Sequence, residues 1–370
     1  MKAVAVFPGS REVRVIERPE PVIVEADDVL ARVLDIGICG TDREISSFEY
    51  GTPPPGDDHL VIGHESLAEV VAVGAAVTGM RPGDLVVPTV RRPCTVPGCR
   101  SCRAGHQDYC YTGEFVERGI KEAHGYMTEY VVDRERYLVP VPAHLRDVAV
   151  LTEPLTIAEK ALEQVFGLMQ HRPPWNGADT PNDQRGRGLA ALVLGIGPVG
   201  LLGAMRLVGA GFNTFVYSRE LPSGPRADLV AAIGATYAST QVVSFADLAA
   251  EIGNIDLVYE AAGHSHFAVE ALTMLGTNGI FVLTGVPGVQ AFREADPARL
   301  MRQMVLNNQM LLGTVNAGPT AFASALHNLE LFSQTWPATV RSLIAGRYPP
   351  ESAPELILGR PSGIKSVVAF

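Results

Sequence analysis

The hexapeptide Gly195-Ile196-Gly197-Pro198-Val199-Gly200 constrains this chain more than any other feature. It directly follows the apolar run 189–194 and opens a helix carrying Leu201, Leu202, Met205 and Leu207. In such a turn the first glycine permits the tight bend, the second admits a pyrophosphate to the backbone, and the third lets helix and strand pack closely. The helix N-terminus then faces the phosphates. The spacing predicts a parallel sheet that binds a dinucleotide. Apolar runs continue at 214–217, 257–260, 280–283 and 310–315, alternating with helical spacing near 226–233 and 267–275. That alternation implies right-handed crossovers and a doubly wound sheet.

The end of the second strand bears on cofactor choice. A fold that prefers the non-phosphorylated nicotinamide cofactor places an acid there to bind both ribose hydroxyls, whereas this chain has Tyr217-Ser218-Arg219 followed by Glu220. Ser218 removes the acid, and Arg219 can pair with a 2′-phosphate. NADP is favoured, with NAD also usable.

The first 150 residues read differently. Short β-branched runs at 3–7, 13–16, 28–36, 67–73, 85–88 and 127–132, separated by Gly/Pro turns, predict an all-β domain. Helical spacing covers 157–169, and the polar, Pro/Gly-rich stretch 171–188 reads as an exposed connection. A helix at 321–332 and a final strand at 364–370 are assigned back to the first domain. The expected division is therefore residues 1–155 with 318–370, and residues 156–317. A length of 370 residues suits two such domains, and 47% hydrophobic against 19% charged residues excludes a disordered chain. A net charge of −10 with no Lys/Arg cluster argues against nucleic acid and for a small-molecule partner. The apolar stretch after Met1-Lys2 is too short for a signal-peptide core, and 189–205 contains four glycines and Pro198. A soluble cytoplasmic protein with no membrane partner is expected.

Five cysteines divide into one and four. Cys39 lies in Gly37-Ile38-Cys39-Gly40-Thr41-Asp42, and a second loop contains Gly63-His64-Glu65. A thiolate, an imidazole and a carboxylate from separate loops suit Zn²⁺ with one position open, the third ligand being Glu65 or Glu153, which lies in Leu151-Thr152-Glu153-Pro154. Cys94, Cys99, Cys102 and Cys110 fall within seventeen positions and read as a Cys₄ structural zinc loop, with four residues between the first two.

With these motifs the chain resembles, nearly end to end, the zinc-containing medium-chain alcohol dehydrogenase superfamily, and within it the archaeal-type glucose 1-dehydrogenases. Gly83-Asp84 belongs to the wider pattern. Arg91-Arg92, Thr112-Gly113-Glu114-Phe115, Glu153-Pro154-Leu155 with Glu159-Lys160, Gly313-Thr314-Val315-Asn316 and Ile364-Lys365 are the more specific matches. The resemblance implies a GroES-like β-rich catalytic domain plus a Rossmann domain, assembled as a homodimer or homotetramer. It implies a catalytic zinc on Cys39, His64 and Glu65 and/or Glu153, with Thr41 relaying the proton and touching the sugar, and Glu117 and Asn316 holding sugar hydroxyls. Cofactor contacts would come from Gly195 to Gly200, Ser218, Arg219, Thr284-Gly285-Val286 and Thr314-Val315-Asn316. The implied reaction oxidises the C1 hydroxyl of D-glucose, D-galactose or another aldose to the lactone with NAD(P)⁺. Alternatives are a zinc polyol or amino-alcohol dehydrogenase and a non-catalytic NADP-sensing regulator. Spacing departs at Cys94–Cys99, Glu220 stands where a second basic residue is usual, and Ile157 stands where some members have an acidic sugar ligand.

Overall fold

The computed structural model describes residues 1–288, 295–359 and 363–370. The chain divides into two units, Met1–Thr156 with Asn316–Phe370, and Ile157–Val315.

In the first unit, the ten-residue strand Asp28–Gly37 organises a seven-stranded sheet. It pairs antiparallel with Glu65–Val73, Tyr130–Arg134 and Lys365–Ala369. Gly37 is the shared register point, lying opposite Glu65 on one side and Val367 on the other. Residues 300 positions apart in sequence therefore meet at one strand end. The apolar residues of these strands, including Val29, Val33, Ile36, Leu67, Val86 and Val367, are fully buried. Each such side chain contributes about 1.5–3 kcal/mol relative to exposure. A small sheet of Arg91–Arg92, Val116–Arg118 and Glu122–Ala123 brackets the cysteine-rich segment. The final strand, Lys365–Ala369, is the one expected at 364–370. Beside it runs Ile344–Tyr348, parallel to it and without an apolar sequence signature.

The second unit holds six parallel strands in the order Thr236–Ser239, Asn213–Ser218, Ala190–Leu194, Leu257–Glu260, Ile280–Leu283, Met310–Gly313. The strand carrying the glycine turn is central, and the order reverses beside it. That is the switch point at which doubly wound sheets bind ligands. Leu192, Leu194, Val258, Phe281, Leu248 and Ala271 close one face of the core.

Several elements differ from the sequence reading. The strand Thr236–Ser239 is polar because it lies at a sheet edge. The helices Phe245–Ile252 and Pro297–Leu306 are additions to the sequence reading, and each opens on a cap in which the Ser244 or Asp296 side chain accepts from the N–H of Asp247 or Arg299. The helix expected from residue 157 begins at Thr152. The stretch 171–188 is irregular but not merely an exposed connection, since Trp175 is buried and its indole N–H donates to the Asn278 carbonyl at 3.1 Å. No helix among the described residues is long and apolar enough to cross a membrane.

Candidate functional site

The end of Asp28–Gly37 delivers Cys39 as the N-cap residue of the short helix Gly40–Ser46. Three positions on, Asp42 turns back and is wholly buried. Its carboxylate accepts the Cys39 N–H at 2.8 Å and the Gly63 N–H at 3.2 Å, and lies 3.6 Å from His64 Nδ1. One carboxylate thus ties both loops together. Gly63 has φ +87°, and a Cβ there would meet Met127 at 2.9 Å, so the bend into His64 requires glycine. A Cβ on Gly37 would lie 2.1 Å from Glu65 Oε2, so that glycine makes room for the carboxylate.

One ligand atom from each of Cys39, His64 and Glu65 lies within 4.8 Å of the other two. Burial opposes charge on His64, but Asp42 and Cys39 overcome it and hold the imidazole well above its usual range. Burial likewise opposes charge on Asp42, but His64 and the Cys39 N–H keep its carboxyl low. Nδ1 of His64 is buried without a hydrogen-bond partner among the described residues. A thiol, an imidazole and a carboxylate with ligand atoms this close fit a zinc site with a further position open, and Asp42 beside Nδ1 is placed to orient the imidazole.

Two details refine the ligand reading. Both oxygens of Glu65 accept from Lys365 Nζ, at 2.7 and 2.5 Å, and the same ammonium donates to the Ile38 carbonyl at 3.1 Å. Glu65 therefore has a buried cation as well as the metal cluster within reach. Glu153 lies outside the three-residue cluster. It is buried, which pushes its carboxyl up to about 7, with His64 opposing the rise and Glu65 adding to it. Thr41, half-buried, is on the first turn of the helix that Cys39 caps.

In the same unit Arg91, Glu117 and Asn316 form a buried triad. Glu117 Oε1 accepts from Arg91 Nε at 3.0 Å and from Asn316 Nδ2 at 3.1 Å. Asn316 has φ +57°.

The cysteine-rich segment closes on itself. The sulfurs of Cys94, Cys99, Cys102 and Cys110 all lie within 4.8 Å of one another. The longer spacing after Cys94 is absorbed by a turn in which the Cys99 N–H donates to the Val96 carbonyl, and Tyr111 pins that turn by donating its hydroxyl to the Gly98 carbonyl at 2.6 Å. Burial pushes the Cys110 thiol up, but the Thr112 hydroxyl and N–H prevail and hold it at about 6. Four thiols whose sulfurs all lie within 4.8 Å of one another fit a tetrahedral zinc.

In the second unit Gly195 has φ +102°, and a Cβ on Gly200 would lie 2.3 Å from the Gly195 carbonyl oxygen. On Gly197, the N-cap of Pro198–Gly209, a Cβ would meet nothing within 4 Å. The turn is tight where it must pack and open where a pyrophosphate would approach, so it fits a dinucleotide. Ser218 Oγ lies 2.9 Å from the Tyr237 hydroxyl, and Arg219 is exposed. Glu220, beside it, is engaged by Arg226 at 2.9 Å. Thr284 donates its hydroxyl to the Glu260 carbonyl at 2.7 Å, while the Glu260 carboxylate accepts the N–H groups of Ala262 and Gly263. Gly285 donates its N–H to the Glu260 carbonyl, and Val286 is exposed. Thr314 accepts from Gln164 at 2.8 Å, the Val315 carbonyl accepts from Lys160 at 3.1 Å, and Asn316 belongs to the first unit.

Sequence reasoning assigned no role to Asp42, Lys365, Arg91 or Glu260. Asp42 had a readable signal, since an acid three residues after an N-cap position forms a capping box. Lys365 and Arg91 had none, because their partners are distant in sequence.

Residues 146–370 match the family model described as Glucose dehydrogenase C-terminus, and residues 25–143 match Alcohol dehydrogenase GroES-like domain. A curated glucose 1-dehydrogenase of Methanocella arvoryzae is 37% identical over 372 residues, covering 100% of this chain and 99% of that one. A glucose 1-dehydrogenase of Thermoproteus tenax is also 37% identical over 372 residues, with the same coverage. The crystal structure of Haloferax mediterranei glucose dehydrogenase in complex with NADP, Zn and gluconolactone superposes with a TM-score of 0.87 at 34% identity, covering 100% of this chain and 99% of that one. The chain belongs to the glucose dehydrogenase family, joining a GroES-like alcohol dehydrogenase domain to a parallel-sheet Rossmann domain.

Proposed function

We propose that this chain is a zinc-dependent glucose 1-dehydrogenase that oxidises the C1 hydroxyl of D-glucose, and of D-galactose or related aldoses, to the lactone with NADP⁺ or NAD⁺. The observation that carries this reading is the cluster of half-buried Cys39 with buried His64 and Glu65. Relatives matched end to end are named glucose 1-dehydrogenases, and the Haloferax mediterranei enzyme holds NADP, zinc and gluconolactone. Those names support the substrate.

In this reading Cys39, His64 and Glu65 hold the catalytic zinc, with Glu153 as a further or alternative ligand, and Cys94, Cys99, Cys102 and Cys110 hold a structural one. Bound there, zinc would supply Lewis acidity that lowers the pKa of the C1 hydroxyl, and NADP⁺ would accept the hydride. Thr41 carries the released proton away through its hydroxyl. Glu117 and Asn316 orient the ring, and an epimer that leaves their buried polar atoms unpaired is rejected. The glycine turn, Ser218, Arg219 and the Thr284 and Thr314 segments hold the cofactor, with Glu220 neutralised by Arg226 so that it does not repel a 2′-phosphate. Exposed Met301, Val305, Leu306 and Leu311, on the last helix and edge strand of the parallel sheet, support a homo-oligomer. A cytoplasmic location completes the reading.

Initial rates on glucose, galactose, sorbitol and threonine with each nicotinamide cofactor, before and after chelation, test it. Aldose oxidation that disappears on complete zinc removal is expected. A clear preference for sorbitol or threonine would make the chain a polyol or amino-alcohol dehydrogenase, and cofactor binding without any turnover would make it a sensor.

A further inference from the structure

Arg91 is 6% exposed, Glu117 5% and Asn316 8%, so the triad is buried apart from a small residual opening. Two donors and an ion-pair contact converge on a single oxygen. Glu117 Oε1 accepts from Arg91 Nε at 3.0 Å and Asn316 Nδ2 at 3.1 Å, and Arg91 Nη2 lies 3.0 Å away as its ion-pair partner. The remaining Arg91 nitrogen donates to the Asp108 carbonyl at 3.1 Å, and the guanidinium lies 3.7 Å from the Phe115 ring centroid. A planar fork held on both edges and on one face has no freedom to swing.

The consequence falls on the atoms left over. Both hydrogen bonds that Glu117 accepts from the described residues go to Oε1, which leaves Oε2 open to an incoming group, and Asn316 Oδ1 is buried with no partner. The amide orientation follows from chemistry, since only its NH₂ end can face a carboxylate oxygen. Both open atoms are therefore acceptors. An acceptor pair takes groups that donate, and a buried acceptor left without a donor costs free energy.

We infer that Arg91 is the positioning residue for sugar recognition: by saturating Glu117 Oε1 it turns Glu117 Oε2 and Asn316 Oδ1 into a fixed double acceptor for two hydroxyls of the aldose. The inference rests on the reading of Glu117 and Asn316 as sugar-binding residues, and adds the group that orients them.

Steady-state kinetics at saturating NADP⁺ with glucose, 2-deoxyglucose and 3-deoxyglucose test it, on the wild type, Arg91→Met, Arg91→Lys, Glu117→Gln and the Arg91→Met/Glu117→Gln double variant. The wild type is expected to disfavour at least one deoxy sugar by about 10²-fold or more in kcat/KM. Arg91→Met raises the glucose KM about tenfold with kcat within about threefold, compresses the discrimination and leaves the NADP⁺ KM unchanged. Arg91→Lys, which keeps a cation but not the fork, recovers part of the loss. Against the Glu117→Gln background, Arg91→Met adds less than about twofold. Unchanged discrimination in a folded Arg91→Met protein would overturn the inference. So would an equal loss on all three sugars accompanied by a lower melting temperature, which marks a structural role. Should Arg91→Met fail to fold, Arg91→Lys decides: wild-type discrimination there overturns the inference, and reduced discrimination upholds it. A wild type that oxidises glucose without discriminating removes the inference alone, whereas one that oxidises no aldose removes the functional reading with it.

Discussion

The two ligand clusters of the first unit are built in opposite ways. Cys39, His64 and Glu65 come from separate loops and strand ends, and the registers Gly37–Glu65 and Gly37–Val367 bring them together with Lys365. Cys94, Cys99, Cys102 and Cys110 come from one short segment, of whose cysteines only Cys99 is buried. The first cluster is held by the fold around it. The second lies in a segment with little core of its own, so a metal would have to hold the segment. The contrast teaches where each can fail: losing a ligand from the first should cost chemistry and leave the fold, and losing one from the second should cost local order and leave the chemistry.

The sharpest way to break that contrast is a crossed pair of cysteine substitutions. Cys39→Ser is expected to lower kcat by about 10³-fold, since Lewis-acid stabilisation is worth several kcal/mol and each 1.36 kcal/mol is tenfold in rate. Metal analysis should show one zinc lost per chain, with the far-ultraviolet spectrum unchanged. Cys99→Ser should also lose one zinc, keep kcat within about threefold, and raise protease cutting within residues 94–110 by about tenfold, because the segment opens locally. Interchanged outcomes would reverse the assignment of the two sites.

Next in size is the Lys365 and Glu65 pair. Both groups are 1% exposed, and removing one partner strands the other as an unpaired buried charge. Lys365→Met is expected to destabilise the zinc-free first unit by about 3–5 kcal/mol. Added zinc, a replacement cation for Glu65, should restore part of it. Denaturant unfolding with and without zinc reads this directly. A destabilisation that zinc leaves untouched would show that Glu65 serves Lys365 alone.

How much of this was legible in the sequence follows the same division. The cysteine segment was readable because its ligands are neighbours, and the glycine turn because Gly195, Gly197 and Gly200 each do a local job. Asp42 was half-readable through its position in a capping box. Lys365 beneath Glu65 and Arg91 beneath Glu117 have no readable purpose in the sequence, since pairs separated by 300 and by 26 positions exist only once the strands are in register. The helices that open at Ser244 and Asp296 carry both a cap and an amphipathic pattern, so they were legible as well, though absent from the expected elements.

A third test sharpens what anchors the cysteine segment to the fold. Arg92, two residues before Cys94, donates to Asp133 at 2.5 Å beside Tyr126, whose hydroxyl also donates to Asp133 at 2.8 Å. Burial opposes ionisation of Asp133, but Arg92 and Arg118 outweigh it and hold its carboxyl below the usual range. A carboxyl depressed in the folded state contributes stability that is fully present above its unfolded value of about 3.9 and is lost as pH falls through the folded value. Asp133→Asn should remove that acid-side loss and cost about 2–3 kcal/mol above pH 5. Unfolding curves at pH 3 and pH 7 check both signs, and parallel curves for variant and parent would refute the anchor.

The smallest expected effect probes the two residues by which the Cys94 to Cys99 spacing exceeds the usual pattern. Tyr111 donates its hydroxyl to the Gly98 carbonyl at 2.6 Å, but the ring is 60% exposed, so water replaces the lost partner when the hydroxyl is removed. Tyr111→Phe should cost about 0.5–1 kcal/mol of local stability, seen as a two- to fivefold rise in protease cutting within 94–110. Its zinc count should not change, because the Cys99 N–H bond to the Val96 carbonyl closes the turn by itself. Loss of a zinc from this variant would mean that the turn depends on Tyr111 to bring Cys94 within reach of the other three sulfurs. The longer spacing would then be a liability that the fold offsets with a single phenol.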